Sequence, residues 1–311
     1  MSSFWVFPGQ GAQQAGMLHA LPDDPLIADC LREASDALNE DVLLLDASEA
    51  LKSTRAVQLC LLMAGVANAR LLMAQNILPD CVAGLSIGAY PAAVIAGALN
   101  FPDAVRLVAL RGALMQDAYP QGYGMTALIG LDQGAVEALV AQVHGHDTPV
   151  YLANINAENQ FVIAGSDQGM ADVAALAKEQ GAAAVKRLAV SVPSHCELLR
   201  EPANTLAEAF VAVTVRVPTL KYLGGSTARP LFTADAVRDD LAFNMCRVID
   251  WRSTVQTAYE RGARLHIELP PGAVLTGLAR RVFEQGSAIA FQGVRLDTLC
   301  ALSREEERRH P

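Results

Sequence analysis

The sequence predicts an α/β protein: a large domain with a parallel-sheet core, interrupted by a small inserted unit. Three observations predict it. Two short apolar runs, Phe4-Trp5-Val6-Phe7 and Cys81-Val82-Ala83-Gly84, each run into a glycine-bearing turn, as buried parallel strands do. Between them lies Ala56–Met73, a helical segment that is apolar on most sides. From about residue 124 to 192 the elements follow the order strand, helix, strand, strand, helix, strand, which is the split βαβ order of ferredoxin-like units. The expected boundaries are therefore 1–123 plus 193–311 for the large domain and 124–192 for a ferredoxin-like subdomain.

The first strand is broken by Pro8-Gly9-Gln10-Gly11. Helices are expected around Leu31–Leu38 and over Ala56–Met73. After the second strand, a helix runs from just past Ser86 to about Gly97. Pro91 falls at the end of its first turn and predicts a distorted start. Asp103–Gln116 is the next helix. In the insert, Met125–Leu131, Val150–Asn154, Gln160–Gly165 and Ala183–Val190 read as strands, with a turn at Asn156–Asn159. Gln133–Val143 and Met170–Gln180 read as its helices. Arg264–Leu269 is a later strand, Pro270-Pro271-Gly272 a turn, and Ala273–Gln285 a helix. Arg304–His310 is charge-dense and is expected to fray.

Composition narrows the function. Of 311 residues, 52% are hydrophobic and 18% charged, enough apolar material for a core and too much for disorder. The net charge is −9 with only four lysines, which argues against nucleic acid as a partner. An acidic partner would need a local arginine patch, for which Arg187, Arg280 and Arg281 are candidates. Met1-Ser2-Ser3-Phe4 has neither a basic start nor an apolar core, so export is not expected. The six cysteines are scattered without metal spacing and suit a reduced, cytoplasmic protein with no metal site. No charge occurs between Asp80 and Asp103, a span long enough for a membrane. Its Gly84, Gly88, Pro91, Gly97 and Asn100 suit a buried strand–turn–helix better, so no membrane association is expected.

The chemistry centres on Gly84-Leu85-Ser86-Ile87-Gly88. A serine hydroxyl is a poor nucleophile until a base takes its proton. A sharp strand-to-helix turn lifts the side chain clear of the backbone. It also places the Ile87 amide at a helix N-terminus, where it can donate to an oxyanion. An ordinary serine on a glycine-rich turn explains the motif alone equally well. Phe7-Pro8-Gly9-Gln10-Gly11-Ala12-Gln13 alone is likewise only a strand-ending turn.

Together these two motifs, about eighty residues apart, resemble the malonyl-CoA:acyl-carrier-protein transacylases. Three further segments extend the resemblance in order: Arg111-Gly112-Ala113-Leu114-Met115-Gln116, Ser191-Val192-Pro193-Ser194-His195-Cys196, and Pro271-Gly272-Ala273-Val274-Leu275-Thr276-Gly277-Leu278. The match covers nearly the whole chain and implies an α/β-hydrolase-like large domain. It implies that Ser86 attacks the thioester and carries malonyl as an ester, with His195 as base and later acid. The amides of Gln10 and Ile87 would form the oxyanion hole. Arg111 would pair with the free malonate carboxylate through two parallel hydrogen bonds. The alternatives are a core histidine at 195 and a solvated helix arginine at 111, with Arg106 as the contrast for the latter. The family orients its imidazole by a backbone carbonyl, and the matching position is Asn244. No tightly bound cofactor is implied. The substrate would be malonyl-CoA, and the acceptor a phosphopantetheine-type thiol on an acyl carrier protein.

Two positions depart from that pattern. The transacylases usually carry His before the nucleophile and Glu three residues after it, where this chain has Leu85 and Ala89. Gly-Leu-Ser-Ile-Gly-Ala-Tyr-Pro and Asn244-Met245-Cys246-Arg247-Val248-Ile249-Asp250-Trp251 resemble the epsilon subunits of bacterial malonate decarboxylase. That resemblance implies a malonyltransferase whose acceptor is the dephospho-CoA-derived thiol of a small carrier subunit. It would prime the decarboxylase without itself decarboxylating. The alternatives are housekeeping malonyl transfer for fatty-acid synthesis, a serine hydrolase using a late histidine such as His266, and a non-catalytic docking subunit. Intact Ser86, His195 and Arg111 argue against the last, and Phe7–Gln13 and Arg111 are unexplained by the hydrolase.

Overall fold

The computed structural model describes residues 2–309. In chain order the elements begin β1 (Ser2–Phe7), α1 (Pro25–Leu38), α2 (Thr54–Ala74), β2 (Cys81–Gly84), α3 (Ala89–Ile95) and α4 (Phe101–Ala118). They continue β3 (Tyr123–Ile129), α5 (Gln133–Val143), β4 (Val150–Ala157), β5 (Gln160–Ser166), α6 (Asp167–Glu179) and β6 (Ala184–Arg187). The last part holds α7 (Arg200–Ala209), β7 (Lys221–Gly224), β8 (Arg229–Leu231), α8 (Ala234–Phe243), β9 (Ile249–Asp250) and α9 (Trp251–Glu260). It closes with β10 (Ala263–Glu268), α10 (Val274–Ala279), β11 (Ser287–Ala290) and α11 (Leu296–Arg309).

One sheet has the order β11-β10-β1-β2-β7-β8, parallel except for β8 at its edge. Its central strand is buried on both faces. Trp5 and Phe7 pack into the core around α2, while Phe4 and Val6 pack with Trp251 and Phe283. That two-sided burial is why the strand reads as a continuous apolar run. α2 starts at Ser53, whose hydroxyl caps the Ala56 amide. Its most apolar stretch is 89% buried inside the protein, so its membrane-like length and composition serve the core.

The second sheet has the order β6-β3-β5-β4-β9. Its first four strands pair antiparallel, and α5 and α6 pack on one face around Leu128, Val136, Phe161 and Val173. The fifth strand comes from much later in the chain: Ile249 and Asp250 pair parallel with Asn154 and Ile155. The second sheet is thereby stapled to the segment that follows α8.

Several elements differ from the sequence expectation. α1 starts at Pro25, because Asp24 accepts from the Leu26 amide and Pro25 sits at the first helical position. The strand expected over Ala183–Val190 stops at Arg187, and the helix expected over Ala273–Gln285 stops at Ala279. The end expected to fray is helical to Arg309, with Ser303 and Glu306 buried; His310 lies outside the described residues.

His266, on β10, is fully buried between the rings of Phe4 and Phe283, and among the described residues neither of its nitrogens has a hydrogen-bond partner. Burial pushes its pKa down from 6.5 to about 3. The folded protein therefore keeps this ring neutral where the unfolded chain protonates it. Its contribution is complete above pH 6.5 and is lost as pH falls from there toward 3. We expect His266→Phe to remove roughly 1 kcal/mol per pH unit from the acid-side slope of unfolding free energy. Denaturant titrations of both proteins between pH 4 and 7 would show parallel curves if this were wrong.

Candidate active site

Two loops meet at the carboxyl ends of β1 and β2. The Leu85 amide donates to the Phe7 carbonyl at 3.0 Å. A Cβ on Gly88 would lie 2.1 Å from that carbonyl oxygen, and one on Gly84 would lie 1.8 Å from the Gly88 carbonyl carbon. No side chain fits at either position, which is the physical reason for the spacing Gly84…Gly88. Ser86 itself takes φ +57°, a left-handed conformation that non-glycine residues adopt at a cost, and His195 takes φ +65°. A short 3-10 turn, Ser86–Gly88, then leads into α3. Pro91, as its third residue, falls where no intrahelical donor is needed, so the expected distortion takes the form of that 3-10 start.

Arg111 reaches this turn from α4. It is fully buried. Nη1 donates to Gln58 Oε1 at 2.7 Å, and Nη2 donates to Asn244 Oδ1 at 3.1 Å and to Ser86 Oγ at 3.2 Å. Among the described residues these neutral groups are its only hydrogen-bond partners, no carboxylate pairs with it, and its Nε is unpartnered. Burial lowers its pKa to about 10, so the guanidinium stays charged at neutral pH. A buried cation without a counter-ion is costly and is rarely kept without a ligand to meet it. Arg106, five residues earlier on α4, behaves as a solvated helix arginine and pairs with Asp103.

His195 is 3% exposed. Its backbone amide donates to the Met245 carbonyl at 2.7 Å, and its Nδ1 lies 2.7 Å from the Asn244 carbonyl. A carbonyl only accepts, so Nδ1 carries the proton and Nε2 has the free lone pair. Desolvation, helped by the Arg111 charge and opposed by the Asn244 bond, lowers the pKa to about 4. If His195 is the base, the acid limb of kcat/KM should fall near pH 4 rather than near 6.5. A pH–rate profile with a limb at 6.5 would contradict it.

Asn244 joins the parts. Its carbonyl holds His195, its Oδ1 accepts from Arg111, and its Nδ2 donates to the Ser86 carbonyl at 3.4 Å. Gln58 was not singled out from sequence, although a glutamine within an apolar helix was a signal. It is fully buried and bridges Arg111 to the Gln10 side chain, donating from Nε2 to Gln10 Oε1 at 3.3 Å. So Ser86, Arg111, His195, Asn244 and Gln10 form one hydrogen-bonded constellation, with Ile87 next to the serine. His266 does not belong to it. Arg187 is engaged by Asp167 and the Tyr123 carbonyl, and Arg281 by Asn159.

A strained serine, a neutral buried imidazole and a guanidinium that pairs with no carboxylate among the described residues thus lie together beyond the carboxyl ends of β1 and β2. Residues 4–307 match the family described as acyl transferase domain, and the chain belongs to that family. Its relatives include the malonyl CoA-acyl carrier protein transacylases of Haemophilus influenzae, 38% identical over 93% of this chain and 95% of that protein, and of Escherichia coli K12, 37% identical over 92% and 94%. The transacylase structure from Coxiella burnetii superposes with a TM-score of 0.92 at 34% identity, covering 98% of both chains. A malonyl-transacylase solved in complex with its type II PKS acyl-carrier protein superposes at 0.91 with 35% identity, covering 98% of this chain and 100% of that one.

Proposed function

We propose that this chain moves the malonyl group of malonyl-CoA to the phosphopantetheine-type thiol of an acyl carrier protein, through a malonyl ester on Ser86. The observation that carries the reading is Arg111, a buried, unpaired cation one hydrogen bond from Ser86 Oγ. A malonyl group on that oxygen brings its free carboxylate to the guanidinium. In the first half-reaction Nε2 of His195 takes the Ser86 proton as Oγ attacks the thioester carbonyl. The amides of Gln10 and Ile87 receive the oxyanion, the C–S bond breaks, and the thiolate regains a proton from His195. The second half repeats these steps in reverse with the carrier thiol as the attacking group.

Brief incubation with malonyl-CoA should add one malonyl mass to Ser86, and the kinetics should be ping-pong. Label elsewhere, or a requirement for both substrates bound together, contradicts the covalent route. The relatives favour an acyl carrier protein of ordinary malonyl transfer as acceptor. The malonate decarboxylase carrier is the second reading. It rests on Leu85, Ala89 and the segment Asn244–Trp251, whose first residue sits inside the site. Transfer rates to the two carriers, measured side by side, separate them.

The same reading treats residues 124–192 as a ferredoxin-like insert, supported by the strand order β6-β3-β5-β4, and the remainder as an α/β-hydrolase-like domain. All six cysteines are free, which suits the cytoplasm.

A further inference from the structure

The reaction makes no use of Asp240, a carboxylate that is 2% exposed on α8. Its Oδ2 accepts from Tyr222 Oη at 2.7 Å, and its Oδ1 accepts from Ser226 Oγ at 3.3 Å. Tyr222 is fully buried on β7 and lies opposite Val82 of β2, the strand that delivers Ser86. A Cβ on Gly224 would come within 3.1 Å of Asp240 Oδ1, so the carboxylate is packed on the end of β7. Among the described residues no cation bonds to it: Arg247 pairs with Asp239 and attracts it only from a distance, the Asp239 charge opposes it, and the Tyr90 phenol is a further ionisable neighbour. Burial lifts its pKa to about 6.

A buried acid without a counter-charge is destabilising compared with an apolar residue of similar size. What it does here is join elements. The Asp240 carbonyl accepts from the Asn244 amide at the end of α8. The next carbonyl, Leu241, accepts from Tyr90 Oη at 2.9 Å, and the Tyr90 ring centroid lies 6.0 Å from the Arg111 guanidinium carbon. The last turn of α8 is thus pinned by two buried phenols, immediately before Asn244 makes its contacts to Arg111, Ser86 and His195.

We propose that Asp240 is a positioning residue of the active site: held by Tyr222 and Ser226, it fixes the end of α8 and, through Asn244, sets where Arg111 and His195 point. This rests on the malonyl-ester reading above. A residue that merely fills the core changes stability. One that sets Arg111 changes the preference for malonyl over acetyl.

The test uses the full chain with Tyr222→Phe, Asp240→Ala, Asp240→Asn and Arg111→Ala, measuring kcat/KM for malonyl and acetyl transfer together with Tm. Tyr222→Phe and Asp240→Ala should lower the malonyl-to-acetyl ratio about tenfold. Asp240→Asn keeps an acceptor for Tyr222 and should stay within about threefold of the native ratio. An unchanged ratio in Tyr222→Phe with only Tm lowered overturns the inference, and that mild variant decides the matter if Asp240→Ala does not fold. If Arg111→Ala lowers the ratio and the others do not, this inference alone fails. If Arg111→Ala also leaves it unchanged, the carboxylate-clamp reading fails and takes this one with it.

Discussion

Ser86→Ala is expected to abolish the malonyl-enzyme and to lower transfer by at least about 10⁴-fold. Loss of activity alone would not separate chemistry from folding, and the backbone at this position supplies the control. Ser86 sits at φ +57°, where a Cβ costs roughly 1–2 kcal/mol. Alanine inherits that cost, and glycine does not. Ser86→Gly should therefore be as inactive as Ser86→Ala and yet have a Tm equal to or above that of the native protein. Thermal unfolding beside intact-mass measurement after malonyl-CoA exposure reads both quantities. A malonylated Ser86→Ala protein would end the case for this nucleophile.

Arg111→Ala should separate substrates. Each hydrogen bond from a guanidinium to a carboxylate is worth about 1.5–3 kcal/mol, so losing a bidentate pair should lower malonyl transfer by roughly 10²–10⁴-fold. Acetyl transfer should hold or improve, because an acetyl group leaves the native cation buried and unmatched. Arg111→Lys keeps the charge but not the planar fork that Gln58 and Asn244 align, so it should recover only part of the loss. Comparing kcat/KM for the two thioesters checks this. Equal losses would mean that Arg111 does not read the carboxylate.

Much of this was legible in the sequence, and for physical reasons. β1, α2 and β2 are buried on all sides, so apolar runs betray them. The glycines around Ser86 are forced by contacts below 3 Å, and such positions leave a spacing that can be read directly. The stretch from residue 200 to 260 was largely opaque. β8 has three residues and β9 two, too few for any alternation to register. α8 and α9 did carry signals that went unread, Thr233 capping the Ala236 amide and Asp250 capping Ser253. In the site, the family resemblance implied the backbone carbonyl of Asn244 as the partner of His195, and that carbonyl lies 2.7 Å from Nδ1. That its side chain also holds Arg111 and Ser86 was not implied, because one residue using both its backbone and its amide leaves no mark in sequence.

The partner of His195 has one more consequence. A carbonyl oxygen can aim an imidazole but brings no negative charge to steady it once it is protonated, and the Arg111 cation nearby makes that state less favourable still. On the proposed route, the imidazolium formed in each half-reaction is accordingly a strong acid. A departing thiolate, whose conjugate acid ionises near pH 8.5, is basic enough to strip the proton from it at once. The ring spends almost no time charged and is restored to its neutral form before the next thiol arrives. For a catalyst that exchanges one thioester for another, with little free energy separating the two, a base that resets itself is worth more than a stronger one.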